Sequence, residues 1–243
     1  MKKSLILIFF LNLAFSQSLD RLEEKLIPVD NMNVLSNSII DDRSLTPSFI
    51  LDQNKSTFIW TGGLKFGATN HDGNLKMKSG NILLENNKIT GEVVINMLSM
   101  TNSDMPEGSG NRLVGHLKSA DFFNVERFPN AKLKIEKSRI IEKLENGKYK
   151  MIIDGLLTIK GNTKPISFET NVDLDSKIKT AEGRMTFNRN DFDVQYRSEM
   201  HLDNPNTFWN KLQTTRDTAK DKVIRENIEI DFKVSTMPGM LSK

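Results

Sequence analysis

Three histidines, His71, His116 and His201, are the side chains of this sequence best suited to proton transfer or metal ligation at neutral pH. They lie far apart, and none has a partner at the spacing of a local metal motif. The chain holds no HExxH, no GxSxG, no glycine-rich phosphate loop and no cysteine. A metal site would therefore have to be assembled across the fold, whereas isolated histidines more often serve the surface or the structure. Two carboxylate pairs, Asp104 with Glu107 and Asp191 with Asp193, have a spacing that suits acid and base roles. Both stand in Gly- and Asn-bearing text, where acids form turns and cap helices. The residues give no support to an enzyme and call for no cofactor.

Apart from these groups, the chain is dominated by alternation. In "KITGEVVINML" Ile89, Gly91, Val93, Ile95 and Met97 share one face, opposite Lys88, Thr90, Glu92 and Asn96. This period of two marks a strand buried on one side. It recurs in "KYKMIIDGLLTIK" (Tyr149, Met151, Ile153, Gly155, Leu157, Ile159), in "PISFETNVDL" (Ile166, Phe168, Val172, Leu174) and in "TAEGRMTFNR" (Ala181, Gly183, Met185, Phe187). The same holds in "ENIEIDFKV" (Ile228, Ile230, Phe232, Val234). "STFIWTG", with Phe58 and Trp60 on one side, "GNLKMKSG", "NILLE" and "NAKLKIEKSRII", with Leu133 and Ile135, bring the count to eight or nine.

The links "ENNK", "ENGK" and "KGNTK" are short Asn/Gly turns of the kind that join antiparallel neighbours. A meander with one apolar face leaves exposed edges, and closing it into a barrel removes them. The inward glycines Gly91, Gly155 and Gly183 mark sharp curvature or close approach. The predicted class is all-β: an extended antiparallel barrel of about eight strands with one or two short helices, and a two-sheet sandwich as the competing architecture. Two segments break the rhythm and are candidate lids. They are "SGNRLVGHLKSADFF" and the stretch after Asn204 and Pro205, where Phe208 and Leu212 predict a short helix. Small barrels are filled by their own side chains or hold one ligand, and periodicity leaves both open.

The N-terminus "MKKSLILIFFLNLAFSQS" runs from basic to apolar to small, the order of a secretory signal. The apolar run is too short to cross a bilayer. The expected organisation is a signal peptide over 1–16 cleaved near Ser16, a loosely ordered lead-in over 17–47, a barrel domain over 48–236 and a tail over 237–243. The lead-in carries one helical stretch, "LDRLEEKL". A periplasmic or secreted location follows, without stable membrane insertion. With 0 Cys, stability in that compartment must come from a packed interior. The formal charge is +3, and loss of Lys2 and Lys3 with the signal leaves +1. Lysines and acids are interspersed along the strands, the pattern of a solvated outer face rather than of a nucleic-acid surface.

The segment "GHLKSADFFNVERFPNAKLKIEK" closely resembles the signature of the YceI-like family, bacterial lipocalin-related proteins that bind polyisoprenoids and similar amphiphiles. "GLKFGATNHDGNLKMKSGNILLENNKITGEVVINMLSM", "GLLTIKGNTKPISFETNV" and "AEGRMTFNRNDFDVQYRS" match in the same order. The likeness runs from about Phe49 to Val234. It implies a lipocalin-like barrel around a long apolar tunnel, with a polyisoprenoid, a polyprenyl quinone precursor or a fatty amphiphile as ligand, and it does not imply catalysis. Pairing into a homodimer is common in such barrels. His116, Lys118, Phe122, Phe123 and Arg189 fall within matching motifs. The opening strand "SFILDQNKSTFIW" and the expanded "HLDNPNTFWNKLQ" depart from the family pattern at one tunnel end.

The ligand-contacting set expected on these grounds is Phe58, Trp60, Val93, Ile95, Met97, His116, Phe122, Phe123, Leu133, Ile135, Ile153, Phe168, Met185, Phe187 and Arg189. Ser119 or Asp121 is expected to cap a turn that swings Phe122 and Phe123 under the barrel mouth, with Phe128 and Pro129 ending it. His116 and Lys118 would sit at the rim. Arg189 continues the inward parity of Met185 and Phe187, so its buried guanidinium needs a partner, either Asp191 or Asp193 or the ligand head.

Overall fold

The computed structural model describes residues 47–66, 69–199 and 223–238. Its strands are β1 (Ser48–Ile50), β2 (Thr57–Gly63), β3 (Asn70–Glu85), β4 (Lys88–Asn96), β5 (Asn130–Lys143), β6 (Tyr149–Ile159), β7 (Asn162–Asp173), β8 (Thr180–Asn188) and β9 (Asn227–Ser235). One α-helix, α1 (Glu107–Lys118), stands between β4 and β5, and 3-10 turns follow β4 (Met97–Ser99) and β8 (Arg189–Phe192). The expected signal peptide, the "LDRLEEKL" helix, His201 and the helix around Phe208 and Leu212 lie outside the described residues.

All pairings are antiparallel, in the order β1-β3-β2-β9-β8-β7-β6-β5-β4, and β4 returns to β3. The sheet is therefore closed, which excludes the sandwich. β2 pairs with the first half of β3 (Phe58 with Leu75, Gly63 with Asn70), while β1 pairs with its second half (Ser48 with Leu83, Ile50 with Asn81). Leu51 bridges to Thr236 and the Asp52 amide donates to the Ser235 carbonyl at 2.7 Å. β1 and β2 thus occupy one wall position between β3 and β9, and the barrel has eight strands.

The turns take the conformations that their residues favour. Asn86 and Asn87 have φ of 49° and 61°, and Lys160 and Gly161 have 51° and 78°. Two consecutive left-handed residues make the hairpin turn whose twist matches the flanking strands.

"GNLKMKSG" and "NILLE", expected as two strands, are one 16-residue strand, β3. The apparent break in the pattern is a bulge. Met77 pairs with Ile95 but Ser79 with Val94, so Lys78 has no partner of its own. The extra residue moves the inward set from Gly73, Leu75 and Met77 to Gly80, Ile82 and Leu84. β5 does the same: Ala131, Leu133 and Ile135 face inward, Glu136 is the extra residue, and Ser138 is the next buried position. The Ser138 hydroxyl then accepts from the Ile89 amide at 2.6 Å.

Gly155 pairs with Ile135 at that bulge, and a Cβ there would lie 2.3 Å from the Lys134 carbonyl oxygen. Gly91, at φ 148°, pairs with both Ile82 and Ile135, and its Cβ would lie 2.2 Å from the Asn81 oxygen. The backbones approach more closely at these points than any side chain allows.

Outward positions carry the interspersed charges as cross-strand pairs. Lys148 meets Glu182 at 2.6 Å and Lys150 meets Glu169 at 2.7 Å. Arg184 holds Asp231 through two hydrogen bonds of 2.7 and 2.8 Å and reaches Glu229 at 2.9 Å. Exposed pairs of this kind set register more than they add stability.

Gly155→Ala places a methyl group where the Lys134 carbonyl stands, so the substitution is expected to cost about 1–3 kcal/mol, the usual range for overpacking. Urea denaturation of the purified protein measures it, and a midpoint equal to that of the wild type would refute the close approach.

Candidate functional site: an apolar cavity along the barrel axis

The inward faces enclose a cavity of about 410 Å³, within the roughly 300–1,000 Å³ of small-molecule sites. Its wall includes residues at both ends of β4 (Ile89 and Ile95) and of β9 (Ile228 and Val234), so it follows the barrel axis for much of its length. The side chains on this wall are almost all aliphatic, aromatic or thioether. Thr69, His71, Lys132, Thr170, Lys179, Thr180 and Thr236 are the polar residues on it among the described residues.

Thirteen of the fifteen residues expected to contact ligand line this cavity, all but His116 and Arg189. Phe58 and Trp60 come from β2, Val93 and Ile95 from β4, Met97 from the turn after it, and Leu133 and Ile135 from β5. Ile153, Phe168, and Met185 with Phe187 come from β6, β7 and β8. Register explains the set: Val93 pairs with Leu133, Leu133 with Leu157, and Ile153 with Phe168, so one apolar belt passes from strand to strand.

Phe122 and Phe123 close one end. α1 begins after Pro106 with Glu107 in its first turn and ends with His116 and Lys118 in its last, an order that complements the helix dipole. Ser119 terminates the helix, its hydroxyl donating to the His116 carbonyl at 2.8 Å. The amides of Phe122 and Phe123 donate back to the carbonyls of Ser119 and Leu117, both at 3.1 Å. This tight reversal turns both rings inward, 5.1 Å apart and edge to face, at 2% and 7% exposure. They are core and cavity wall at once. Leu113 and Leu117, one helical turn apart, complete that end.

His116 and Arg189 stand behind this layer. The His116 ring packs against Tyr196 at 4.5 Å and Phe122 at 5.9 Å, so it does not occupy the rim expected for it. Arg189 is fully buried, and neither Asp191 nor Asp193 is its partner. Its Nε, Nη1 and Nη2 donate to the carbonyls of Arg225 (2.9 Å), Val194 (2.6 Å) and Ile224 (3.1 Å). Its guanidinium carbon lies 5.6 Å from the Phe122 ring centroid. Burial pushes the guanidinium down to about 10, opposed by the charge of Glu226, so it remains charged at neutral pH. Asp193 instead ends the 3-10 turn at φ 59° and pairs with Lys160 at 3.4 Å. The sequence expectation of an acid partner failed because three carbonyls at a chain crossing can satisfy a planar donor fork as well as a carboxylate does.

Sequence reasoning passed over Phe49, Leu75, Ile82, Leu84, Leu113 and Leu117, all on the wall. Leu113 and Leu117 had a readable signal in their spacing of four. Ile82 and Leu84 had none, because the bulge at Lys78 reverses their apparent face. Among the described residues no group of three or more His, Asp or Glu side chains converges as metal ligands would.

A closed antiparallel barrel with an apolar axial cavity defines the lipocalin-like class of architecture. The model of the YceI-like domain matches residues 49–236, and the chain belongs to that family. Several solved structures share the fold, including these two. BcnA of Burkholderia cenocepacia is 16% identical, with a TM-score of 0.51, covering 77% of this chain and 99% of its own. A polyisoprenoid binding domain from Saccharophagus degradans, described as implicated in plant cell wall breakdown, is 13% identical. Its TM-score is 0.50, with coverage of 79% of this chain and 99% of its own. No curated protein matches.

Arg189→Met removes the donor from three carbonyls, that of Val194 buried and those of Ile224 and Arg225 partly so. At roughly 1–3 kcal/mol for each buried polar group left unpaired, a loss of about 3 kcal/mol or more is expected. Urea titration monitored by circular dichroism measures it, and a loss below about 1 kcal/mol would show that the crossing does not depend on the guanidinium.

Proposed function

We propose that this protein is an exported carrier that holds a polyisoprenoid, a polyprenyl quinone precursor or a similar long-chain amphiphile in the barrel cavity, for storage or transport. The observation that carries this reading is the unfilled apolar volume of about 410 Å³ along the axis of a barrel whose wall is otherwise well packed. A barrel built only as a scaffold gains by filling its interior, because each void forfeits contacts. Retaining one is useful when another molecule fills it. The description of the Saccharophagus degradans neighbour as a polyisoprenoid binding domain agrees in ligand class.

Burial of each methylene contributes ~0.8 kcal/mol, so a long apolar chain supplies ample gross affinity even after the cost of ordering it. Chemistry on the ligand forms no part of this reading. The protein works after cleavage near Ser16, in the periplasm or outside the cell, with its charged outer face in water. It acts without nucleic acid and without stable membrane insertion, as a monomer or as a pair of barrels.

Protein recovered from the periplasm, extracted with denaturing organic solvent and analysed by mass spectrometry, is expected to release a long-chain isoprenoid or fatty amphiphile in near-equimolar amount. Leu133→Trp, which projects a larger ring into the middle of the wall, is expected to lower the retained lipid severalfold while leaving the circular dichroism spectrum unchanged. An extract free of lipid, or equal lipid in this variant, would refute the carrier reading. Recovery of a mature chain beginning at Gln17 in the periplasmic fraction checks the export step, and a chain retaining residue 1 in the cytoplasm would refute it.

A further inference from the structure

At the α1 end of the cavity the apolar wall is interrupted by one imidazole. His71 is on β3, paired with Gly62, and shares the inward face of Gly73 and Leu75. It lines the cavity beside Thr69, Gly62 and Gly63. Its Nδ1 lies 2.8 Å from Asp104 Oδ2. No group among the described residues bonds its Nε2.

Asp104 is brought there by a built arrangement. The segment after the first 3-10 turn runs along β3 where β4 has left it. The Thr101 and Ser103 amides donate to the Asn74 and Asp72 carbonyls, each at 3.0 Å, and the Trp60 indole donates to the Thr101 carbonyl at 3.0 Å. This approach requires the missing side chain of Gly73, whose Cβ would lie 1.8 Å from the Thr101 oxygen. Asp104 Oδ1 accepts from Asn102 Nδ2 and, at 3.3 Å, from the Asp72 amide. Burial opposes its charge, but the bonds from His71, Asn102 and the Asp72 amide outweigh that and hold the carboxyl below its usual range. A carboxylate at Nδ1 keeps the hydrogen on that nitrogen, so in the neutral ring Nε2 is a hydrogen-bond acceptor.

Resting on the carrier reading above, we propose that His71, oriented by Asp104, receives the hydrogen of a hydroxyl head group, so that the ligand class is a long-chain alcohol or phenol rather than a phosphate ester. Charge argues against an anionic head. The carboxylate of Asp104 stands beside the imidazole. Of the two lysines on the wall, Lys132 is paired with Glu92 at 3.1 Å. Lys179 is engaged at the far end, where its ammonium donates to the Leu174 carbonyl and lies 6.0 Å from the Phe49 ring. An acceptor nitrogen at the end of an oily channel suits one hydroxyl and leaves the rest of the ligand to apolar contact.

Calorimetric titration of the delipidated full mature chain with farnesol, farnesyl methyl ether and farnesyl diphosphate separates the possibilities, since the ether keeps the tail and oxygen but has no hydrogen to donate. The alcohol is expected to bind about fivefold more tightly than the ether, the worth of one ordinary hydrogen bond, and the diphosphate more weakly than the alcohol. His71→Phe is expected to bring the alcohol to the affinity of the ether and to leave the ether unchanged. Asp104→Asn is expected to narrow the difference in the same direction. Equal binding of alcohol and ether to the wild type, tightest binding of the diphosphate, or a variant that weakens both neutral ligands alike would overturn the head-group role while leaving the carrier reading intact. Binding of none of the three would overturn the carrier reading, and this proposal with it.

Discussion

Closure of the sheet is the constraint on which the rest of this molecule depends. Eight wall positions joined by backbone hydrogen bonds have no edge, but a closed sheet must bend, and bending brings neighbouring backbones together on the inner side. Bulges at Lys78 in β3 and Glu136 in β5, with Gly91 and Gly155 beside them, absorb that curvature. These features cluster in the β3–β4–β5–β6 part of the wall. Each bulge also exchanges the inward and outward sets of its strand, so shape and wall composition are settled by the same residue.

Once the sheet is closed, its ends need covers. The described cover is α1 with the reversal that follows it, and it is held from behind rather than from within. Phe122 presses against the cavity on one side and against His116, Tyr196 and the buried Arg189 on the other. Arg189 ties the carbonyls of Val194, Ile224 and Arg225 into a single crossing. The positive charge serves as a fastener for the plug and does not face the lumen. The lumen thereby keeps a low dielectric, which suits a hydrocarbon occupant and heightens the effect of the few polar groups on its wall.

The carrier reading rests on membership of the YceI-like family and on the axial cavity together. The asymmetry between the two ends adds direction to that picture. One end carries the Asp104-oriented imidazole of His71, the other the backbone-anchored ammonium of Lys179. On the carrier reading, a ligand with one polar end would meet different chemistry depending on which way round it lay, so the channel would orient its occupant as well as hold it.

Much of this architecture was legible in the chain. Alternation identified the strands and assigned Val93, Ile153, Phe168, Met185 and Phe187 to the wall, because a period of two is imposed by local backbone geometry and survives any tertiary arrangement. Asn/Gly turns announced antiparallel neighbours for the same local reason. The motif around residues 115–129 identified the family, and its two phenylalanines were correctly placed beneath the barrel. The tertiary structure alone decided three things: the fusion of "GNLKMKSG" and "NILLE" into one strand, the partner of Arg189, and the meeting of His71 with Asp104, 33 residues away. Each depends on which backbone atoms come together from distant parts of the chain. A carbonyl acceptor or a neighbouring loop leaves no periodic trace in the residues it affects, and an extra residue leaves a break in the alternation that reads as the end of a strand.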